Sequence, residues 1–405
     1  MQQTSKEHSI HYYGWAVAAI LALTELTSWG ILFYSFSVMV TPMSTALGWS
    51  AGTVTGAFAV AFLISGISAI FVGRWLDRFG ARVVMSIGSC LGVILVLLWS
   101  RVTAPLELYL IWAGLGVASA MLFYEPAFAA TATWFTERRR QALTFVAIGG
   151  ALASVLFVPV ANALLLQGGW RNPVLVLALV LGVVTIPLHV GVVRRPVHVS
   201  SPSEAVARPL PLARLVTRRG FARITAAFAF SAFTWVAMTT YLIPYLISRH
   251  YTGTLAAKMV ATMGASRVIG RILLRGAHRV LGDRWAVPAF FVLQTAGLGI
   301  LFSATALFAV CFGAGFGGSY PARSAMVADR FGTKAFAQIN GMIAFLLTVT
   351  AALGLAGIGI VTRFTAVYSS ALILIALGSL IAVGAIFSLE MFCPMPQIEV
   401  VAAAE

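Results

Sequence analysis

Charged side chains are scarce in this chain of 405 residues. Asp, Glu, Lys and Arg together make up 10% of it, whereas a soluble domain carries about 25%. Hydrophobic residues make up 60%, and the mean hydropathy is +0.95. A water-soluble chain of this length would need far more charge to cover the surfaces of its domains. The composition therefore excludes soluble enzymes, disordered chains and disulfide scaffolds, and it indicates a membrane protein.

Cysteines are few, and nucleotide-binding motifs are missing. The three cysteines, Cys90, Cys311 and Cys393, lie in or beside apolar stretches and form no CxxC pair, which argues against a disulfide framework and against a cysteine metal site. The sequence contains no GxxxxGK[ST], no GxGxxG that follows a strand, and no Ser-His-Asp or His-Glu metal spacing. We therefore expect no cofactor, no bound metal and no enzymatic activity. Because no nucleotide-binding motif is present, any transport across the membrane would be driven by gradients and not by ATP.

Long apolar runs dominate what is present. A bilayer core of about 30 Å is crossed by about 20 apolar residues of a helix. The first run is longer than a signal-peptide core and lacks a small-residue cleavage site, so we expect it to remain as a spanning helix. The runs predict twelve spans, at 13–38, 51–72, 83–100, 107–134, 141–166, 172–193, 220–248, 254–275, 286–304, 306–329, 335–361 and 366–391.

The basic excess predicts the orientation of these spans. Lys and Arg number 27 against 12 acids, for a net charge of +15, which on a soluble domain would indicate a nucleic-acid partner. With the N-terminus inside, however, most of these cations fall on the cytoplasmic side, in agreement with the positive-inside rule. We therefore expect a multi-pass protein of the inner (plasma) membrane with both termini cytoplasmic, in contact with membrane lipid and not with nucleic acid.

A polar stretch rich in Pro, Ser and Arg at residues 194–219 divides the spans into two sets. It predicts an N-terminal six-helix bundle over 1–193, a cytoplasmic linker over 194–219 and a C-terminal six-helix bundle over 220–405. The halves contain a repeat, since YEPAFAATATWF at Tyr124–Phe135 has a partner in YPARSAMVADRF at Tyr320–Phe331. Such repeats are typical of secondary transporters, whose halves rock around a site at the membrane midplane. The predicted fold is all-α, with two pseudo-symmetric bundles.

The segment GRWLDRFGAR after span two resembles the loop motif of the major facilitator superfamily, Gly-x-x-x-Asp-Arg-x-Gly-x-Arg. With twelve spans and two halves, the resemblance covers the whole chain and implies the major facilitator fold. In that family the motif is a latch that favours the outward-facing state. Asp77 can pair with an arginine of a neighbouring helix end or cap its dipole, and the glycines allow a tight turn. The resemblance assigns the latch to Gly73, Asp77, Arg78, Gly80 and Arg82.

A finer resemblance is to the branch that contains the monocarboxylate transporters and the oxalate:formate antiporter. That branch has an anion-binding arginine in helix eight, and Arg271 occupies this place, eleven residues before Gly282 of the loop RGAHRVLGDR. The chain departs from the branch by having Arg267 where many eukaryotic members have an acid, and by having no lysine inside span eleven. The resemblance implies a carboxylate substrate. It also rests on Tyr13, Gly14 and Trp15 before span one, Phe33, Tyr34 and Phe36 within it, and Leu47 to Ser50 before span two.

Five charged residues are predicted to lie within the membrane, away from the ends of their spans: Glu25, Glu125, Arg267, Arg271 and Arg323. Each costs at least about 2.5 kcal/mol on membrane-insertion scales, so such residues normally face a cavity and act there. In the superfamily that this chain resembles, spans one, four, seven and ten line the cavity and span eight contributes to its wall. We therefore expect these charges to converge on one aqueous pocket.

The residue types favour particular roles for these charges. Arg271 offers a planar fork of donors that fits a carboxylate, and we expect it to be the main substrate anchor. Arg267, four residues away on the same helix face, either contacts substrate as well or pairs with an acid. Arg323 either contacts substrate or bonds backbone groups freed by the neighbouring proline. For Glu25 and Glu125 two roles stay open, a proton carrier and a permanent partner of an arginine in a gate.

Aromatic residues supply the apolar walls of the predicted binding site. We expect their rings to pack against the substrate, because they lie on the helices that line the cavity in the superfamily. They are Trp29 and Tyr34 in span one, Tyr124 in span four, Trp235 and Tyr241 in span seven, and Tyr320 in span ten.

The sequence thus favours a monomeric secondary active transporter that moves a small carboxylate-type organic anion by alternating access. Two transport alternatives stay open: uptake of a polar aromatic vitamin such as riboflavin, and proton-coupled efflux of a drug or metabolite. Span five lacks the Gly-x-x-x-Gly-Pro signature of many antiporters, which weighs against efflux. A sensor or scaffold with a transporter fold is the alternative from another class.

Overall fold

The computed structural model describes residues 2–135, 138–166, 168–193, 220–301, 305–332, 336–365 and 368–393. Every regular element within these ranges is a helix. The α-helices are α1 (Gln2–Trp29), α2 (Ser35–Leu47), α3 (Ala51–Phe79), α4 (Ala81–Trp99), α5 (Pro105–Leu122), α6 (Tyr124–Trp134), α7 (Arg139–Leu165), α8 (Arg171–Gly191), α9 (Phe221–Ser248), α10 (Gly253–Gly299), α11 (Thr305–Phe331), α12 (Phe336–Thr365) and α13 (Tyr368–Phe392).

Within the described ranges, nine helical stretches are long and apolar enough to cross a membrane. They correspond to predicted spans one to seven, eleven and twelve. Predicted spans eight, nine and ten lie on α10 and α11, the helices that carry Arg267, Arg271 and Arg323. The prediction of an all-α, multi-span membrane protein is confirmed.

The turns after spans two and eight are each made by one glycine. Helix α3 continues through the predicted loop and α4 begins directly after it, so Gly80 alone makes the turn, with φ of 81°. Helix α10 likewise changes direction at Gly282, with φ of 72°. Glycine adopts positive φ without the steric cost that a Cβ brings. The equivalence of Gly80 and Gly282 is therefore visible in the backbone, although the segments around them are helical and not loops.

Predicted span four is two helices and not one. Helix α5 ends at Leu122, the backbone of Phe123 is extended (φ −77°, ψ −168°), and α6 begins at Tyr124. Pro126 explains the break, because a proline cannot donate a hydrogen bond to the carbonyl four residues earlier, and its ring collides with that carbonyl. Helix α11 stays continuous through Pro321, which lies one position earlier in the repeat. The short helix α6 therefore starts in the middle of the bundle.

A π-helical turn over Gly30–Tyr34 interrupts span one, and the sequence analysis did not predict it. Ser35 donates both its hydroxyl, at 2.8 Å, and its backbone N–H to the carbonyl of Gly30, five residues earlier. Gly30 lies against the ring of Phe157, where a Cβ would collide. Wide turns of this kind are frequent at functional sites. Here the turn changes the helical register of the segment that contains Phe33 and Tyr34.

Helix α3 of the N-terminal half packs along α12 of the C-terminal half. A Cβ on Gly73 would lie 3.0 Å from the Cα of Gln338, so the contact depends on glycine. Gly73 is helical and makes no turn, which corrects its predicted role: its missing side chain permits close approach of two helices and not a tight turn.

Asp77, one turn further along α3, binds the first turn of α12. Its Oδ2 accepts from the N–H of Gln338 at 3.0 Å, and its Oδ1 accepts from the N–H of Ala337 at 3.3 Å. These donors have no partner within their own helix, and the positive end of the helix dipole favours a carboxylate there. Of the two contacts considered for Asp77, the structure shows the cap, which joins the two halves of the chain.

Replacing Asp77 with alanine is expected to loosen this contact. The loss of an N-terminal cap costs about 0.5–2 kcal/mol, which corresponds to roughly a two- to thirtyfold shift toward a state that is open at this end. A cysteine at the buried position Ala325, in a background without the native cysteines, should then react faster with a maleimide. Asp77→Asn keeps one acceptor oxygen, so its labelling rate should lie between those of the unmodified protein and Asp77→Ala. Equal labelling in all three proteins would contradict a latch role for Asp77.

Two of the buried apolar clusters each contain residues of one half of the chain only, whereas others combine residues of both halves. One cluster around Phe36, Trp99 and Trp112 contains residues of the N-terminal half, and another around Phe308 and Phe312 contains residues of the C-terminal half. The predicted linker 194–219 lies outside the described residues. The division into two six-helix bundles stays a prediction.

Candidate functional site

A cavity of about 560 Å³ lies between the two halves of the chain. Its walls come from α1 and the π turn, α3, and α5 to α7 on one side, and from α9 to α12 on the other. On α3 the lining runs from Phe58 to Ala69, whereas at Gly73 the same helix touches α12. The cavity is therefore closed at the end where Asp77 caps α12, which we call the latch end.

Of the eleven residues predicted for substrate binding, proton coupling or gating, eight border this cavity and three do not. Arg271 and Glu25 are fully buried, and Tyr241 packs against the apolar cluster around Phe308 and Phe312. The predicted residues that line the cavity are Trp29, Tyr34, Tyr124, Glu125, Trp235, Arg267, Tyr320 and Arg323.

An ion pair between Glu125 and Arg323 connects the halves at the cavity floor. Glu125 stands in the first turn of α6 and Arg323 on α11, and the arginine side chain is only 2% exposed. Beside the pair, the rings of Tyr124 and Tyr320 lie 5.5 Å apart between centroids. Glu125 Oε2 and Arg323 Nε have no hydrogen-bond partner among the described residues. The pair fits the gate considered for Glu125, and it neutralises one of the cavity's arginines.

Arg267 borders the cavity without a paired acid in the described part of the chain. Its Cζ lies 5.0 Å from the ring centroid of Trp235 and 5.5 Å from that of Phe316, distances at which a cation is attracted to an aromatic face. Its Nε has no hydrogen-bond partner among the described residues. Within the described ranges, Arg267 therefore presents a positive charge that lies against aromatic rings and is not neutralised by a carboxylate.

Arg271, one turn away on α10, is buried behind Tyr124. It donates to the backbone carbonyl of Ala147 on α7 and, at 3.3 Å, to the hydroxyl of Tyr124. Its Nε and Nη2 atoms have no partner among the described residues. In this conformation Arg271 links the C-terminal half to α7 and supports the cavity wall from behind.

Glu25 is also fully buried, next to the wall residue Trp29. The indole N–H of Trp29 donates to Glu25 Oε2 at 2.9 Å, and Oε1 has no partner among the described residues. The ring of Trp29 lies 5.1 Å from that of Tyr124, so the wall residues Trp29 and Tyr124 connect the buried acid to the buried Arg271. A buried carboxylate costs much free energy unless a cation pairs with it, which makes Glu25 suited to carry a proton.

Two stacked aromatic pairs face the cavity, and sequence reasoning missed one member of each. Trp29 stacks on Phe123 at 4.0 Å and 13°, and Trp235 stacks on Phe316 at 4.7 Å and 11°. Phe316 lies four residues before Tyr320, so helical spacing could have placed it on the same face. The position of Phe123 depends on the break between α5 and α6, for which Pro126 was the only signal.

The two latch arginines are exposed and point away from the contact between α3 and α12. Arg78 lies over the ring of Phe79 at 5.1 Å, and Arg82 is exposed in the first turn of α4. No group of three or more His, Cys, Asp or Glu side chains in the described ranges is arranged to hold a metal ion.

Residues 18–355 match the family described as Major Facilitator Superfamily. This match extends over most of the chain and includes the five charges predicted for the cavity, Glu25, Glu125, Arg267, Arg271 and Arg323. The chain belongs to the major facilitator superfamily. It is a secondary transporter and not an enzyme, as the sequence analysis expected.

Relatives within the superfamily are distant. The uncharacterized MFS-type transporter YcxA of Bacillus subtilis is 23% identical over 79% of this chain and 81% of its own length. Monocarboxylate transporter 11 of Mus musculus is 26% identical over 71% of this chain and 64% of its own length. The oxalate:formate antiporter of Oxalobacter formigenes is 26% identical over 38% of this chain and 36% of its own length. The aligned regions thus span less than two thirds of the last two proteins.

Solved structures of the superfamily share the fold. The transporter FucP in the outward conformation superposes with a TM-score of 0.71 at 14% identity, over 91% of this chain and 97% of FucP. A bacterial homologue of ferroportin in an outward-facing state superposes with a TM-score of 0.73 at 14% identity, over 92% and 98% of the two chains. At this identity the likeness shows the fold alone.

A charge cluster also joins the halves of the transporter at the latch end. Arg139 and Arg140 open α7, and their guanidinium groups lie 3.3 and 3.1 Å from the carboxylate of Asp329 on α11. Arg140 also pairs with Asp283, the residue after the Gly282 turn. In the sequence, these two arginines indicate only the orientation of the predicted spans, because nothing there shows which acids they contact.

His278 belongs to this cluster, with Nδ1 3.0 Å from Asp283 and 3.5 Å from Arg140. Burial and, next, the Arg140 guanidinium lower the pKa of His278 below its usual value of 6.5. The closed state therefore binds fewer protons here than a state in which His278 is exposed. The free energy that neutral His278 contributes to the closed state is fully present at pH values above the usual pKa. This contribution is lost as the pH falls through the lowered pKa of His278.

Acidification is therefore expected to favour opening of the latch end. The labelling rate of Ala325→Cys should rise between about pH 7 and about pH 5, relative to the rate in a His278→Gln variant, whose cluster does not titrate in this range. The ratio of the two rates cancels the pH dependence of the thiol itself. A ratio that stays constant over this range would show that His278 does not influence the closure.

Proposed function

We propose that this transporter moves an organic anion with a carboxylate group, and that Arg267 is the cation that binds it. The observation that carries the proposal is the charge balance of the cavity. Arg323 is neutralised by Glu125, whereas Arg267 borders the cavity with no paired acid among the described residues. The cavity as described therefore favours a ligand with a negative charge.

The relatives support the carboxylate class. Two of them are named for monocarboxylates and for oxalate and formate, and all of these substrates are carboxylates. An arginine fork binds a carboxylate through two parallel hydrogen bonds, and Arg267 holds its guanidinium against two aromatic faces where it can present that fork.

Arg271 is the position at which the related branch has its anion-binding arginine, and we keep it as a candidate for a later step of the cycle. In the conformation closed at the latch end, its guanidinium is bound to Ala147 and Tyr124. Alternating access requires the halves to rotate against each other, and this would separate Arg271 from Ala147. The freed fork would then reach the substrate that Arg267 has captured.

Substitution of the two arginines tests this assignment. Hydrogen bonds to charged groups contribute about 1.5–3 kcal/mol, so Arg267→Gln should weaken carboxylate binding about 10- to 150-fold. Arg267→Lys keeps the charge and loses the fork, and should recover part of this loss. Arg271→Lys is the matched variant one turn away, which should reduce the turnover rate more than the initial affinity. Lactate, oxalate and benzoate are suitable probes, measured by titration of the purified protein and by uptake into proteoliposomes.

The outcome of this comparison separates the alternatives. Unchanged affinity in Arg267→Gln, with a large loss of affinity in Arg271→Lys, would move the anchor to Arg271. A thermal-shift screen against carboxylates, riboflavin and cationic drugs addresses the other transport alternatives, because a ligand that binds only the folded state stabilises it. Stabilisation by cations alone would favour efflux of drugs and contradict the proposal.

A further inference from the structure

Six of the aromatic residues that line the cavity form one continuous band of ring contacts. Starting in the N-terminal half, successive ring centroids lie 4.0, 5.1, 5.5, 5.7 and 4.7 Å apart. The last four distances fall within the range of about 4.5–7 Å that is typical of aromatic pairs, and the first belongs to the closely stacked pair of Trp29 and Phe123. The aromatic band consists of Phe123, Trp29, Tyr124, Tyr320, Phe316 and Trp235.

The band ends at the unpaired cation. Arg267 lies over Trp235 and Phe316, so an anionic group bound to this guanidinium would place the rest of the ligand beside the rings. Rings of both halves meet at Tyr124 and Tyr320, and a ligand on the band therefore touches both moving parts of the transporter.

The size of the cavity argues in the same direction. A volume of about 560 Å³ falls within the range of roughly 300–1,000 Å³ that is typical of pockets for drug-sized ligands. A two- or three-carbon acid on Arg267 would leave the band uncovered. A planar ring system fills the space and also satisfies the preference of the aromatic faces for offset stacking.

We propose that the substrate is an aromatic carboxylate, whose carboxylate binds Arg267 and whose planar ring packs against the aromatic band. This inference rests on the proposed function, because it specifies the class of anion. It separates aromatic acids from the short aliphatic acids for which the relatives are named.

Matched ligands test the ring and the charge separately. The purified transporter is titrated with 2-naphthoate, with its saturated analogue decahydro-2-naphthoate, with the neutral 2-naphthamide, and with lactate. We expect 2-naphthoate to bind about three- to tenfold more tightly than the saturated acid, which has similar bulk, because aromatic contacts add to simple burial. It should also bind at least tenfold more tightly than the amide and than lactate.

Variants locate the interaction. Trp235→Leu should remove the preference for the aromatic over the saturated acid and leave the preference for acid over amide. The control Trp285→Leu changes a tryptophan of α10 that is partly exposed on the outer surface, and both preferences should stay. If Trp235→Leu does not fold, the ligand series on the unmodified protein still decides.

Three results would overturn the inference, and they differ in whether they also refute the proposed function. Equal binding of the aromatic and saturated acids, with dependence on Arg267, would refute the aromatic class and leave the carboxylate transporter in place. Equal binding of acid and amide would refute the role of charge, and the proposed function with it. The absence of binding by every carboxylate in the series would refute both.

Discussion

Glu125→Gln is expected to destabilise the transporter by about 3 kcal/mol, the lower end of the range for breaking a buried ion pair. The arginine partner is the reason: Arg323 is 2% exposed and would retain its charge without a carboxylate. The lower end applies because the pair borders the cavity, so that some solvent reaches it. Since Glu125 and Arg323 lie in different halves, part of the loss should appear as weaker closure of the halves.

A double-mutant cycle isolates the pair. Arg323→Gln alone leaves Glu125 unpaired and should also destabilise, whereas the double variant Glu125→Gln/Arg323→Gln removes both charges and should recover more than half of the loss. Stability is measured by thermal or denaturant unfolding in detergent, with the exposed Arg249→Gln as a control that should change it by less than about 0.5 kcal/mol. Additive effects of the two single substitutions would show that Glu125 and Arg323 act independently.

The spans and the glycine turns were predictable from the sequence because their signals are local. An apolar run of about 20 residues has one interpretation in a membrane, and the turn glycines Gly80 and Gly282 occupy matching places in two related segments. The sequence does not distinguish such a turn glycine from a helical one such as Gly73. The π turn at Gly30 and the break at Phe123 depend on tertiary contacts and on one proline. Pro126 and Pro321 differ by one position in the repeat, and only Pro126 is associated with a break, so the presence of a proline alone does not decide.

The five intramembrane charges could be singled out from the sequence, because a membrane tolerates charged side chains only where they are used. The partners of these charges could not be predicted, because pairing depends on distances that residue types do not contain. Arg267 and Arg271 share a face of α10, but one helical turn of 5.4 Å takes Arg271 past the wall formed by Tyr124. The same limit applies to the acids, of which Glu125 meets an arginine and Glu25 meets an indole.

This difference between the acids favours Glu25 as the proton carrier. Glu125 already forms an ion pair with Arg323. Glu25 accepts one hydrogen bond from Trp29, has an unpartnered oxygen, and forms no ion pair among the described residues. Trp29 borders the cavity, so a ligand that displaces its indole would change the environment of Glu25. We expect this contact to couple proton binding to substrate binding.

Glu25→Gln is therefore expected to abolish accumulation of substrate against a gradient while exchange continues. Glutamine imitates the protonated acid and cannot release the proton, so the half-cycle that needs the other protonation state is blocked, whereas exchange of labelled for unlabelled substrate requires only the loaded form. Proteoliposomes with an imposed proton gradient measure both activities in one preparation. Glu107→Gln is the matched control, because this acid caps α5 through the N–H groups of Thr103 and Ala104, and glutamine also serves in such a cap. Accumulation by Glu25→Gln with the unmodified pH dependence would exclude Glu25 as the carrier.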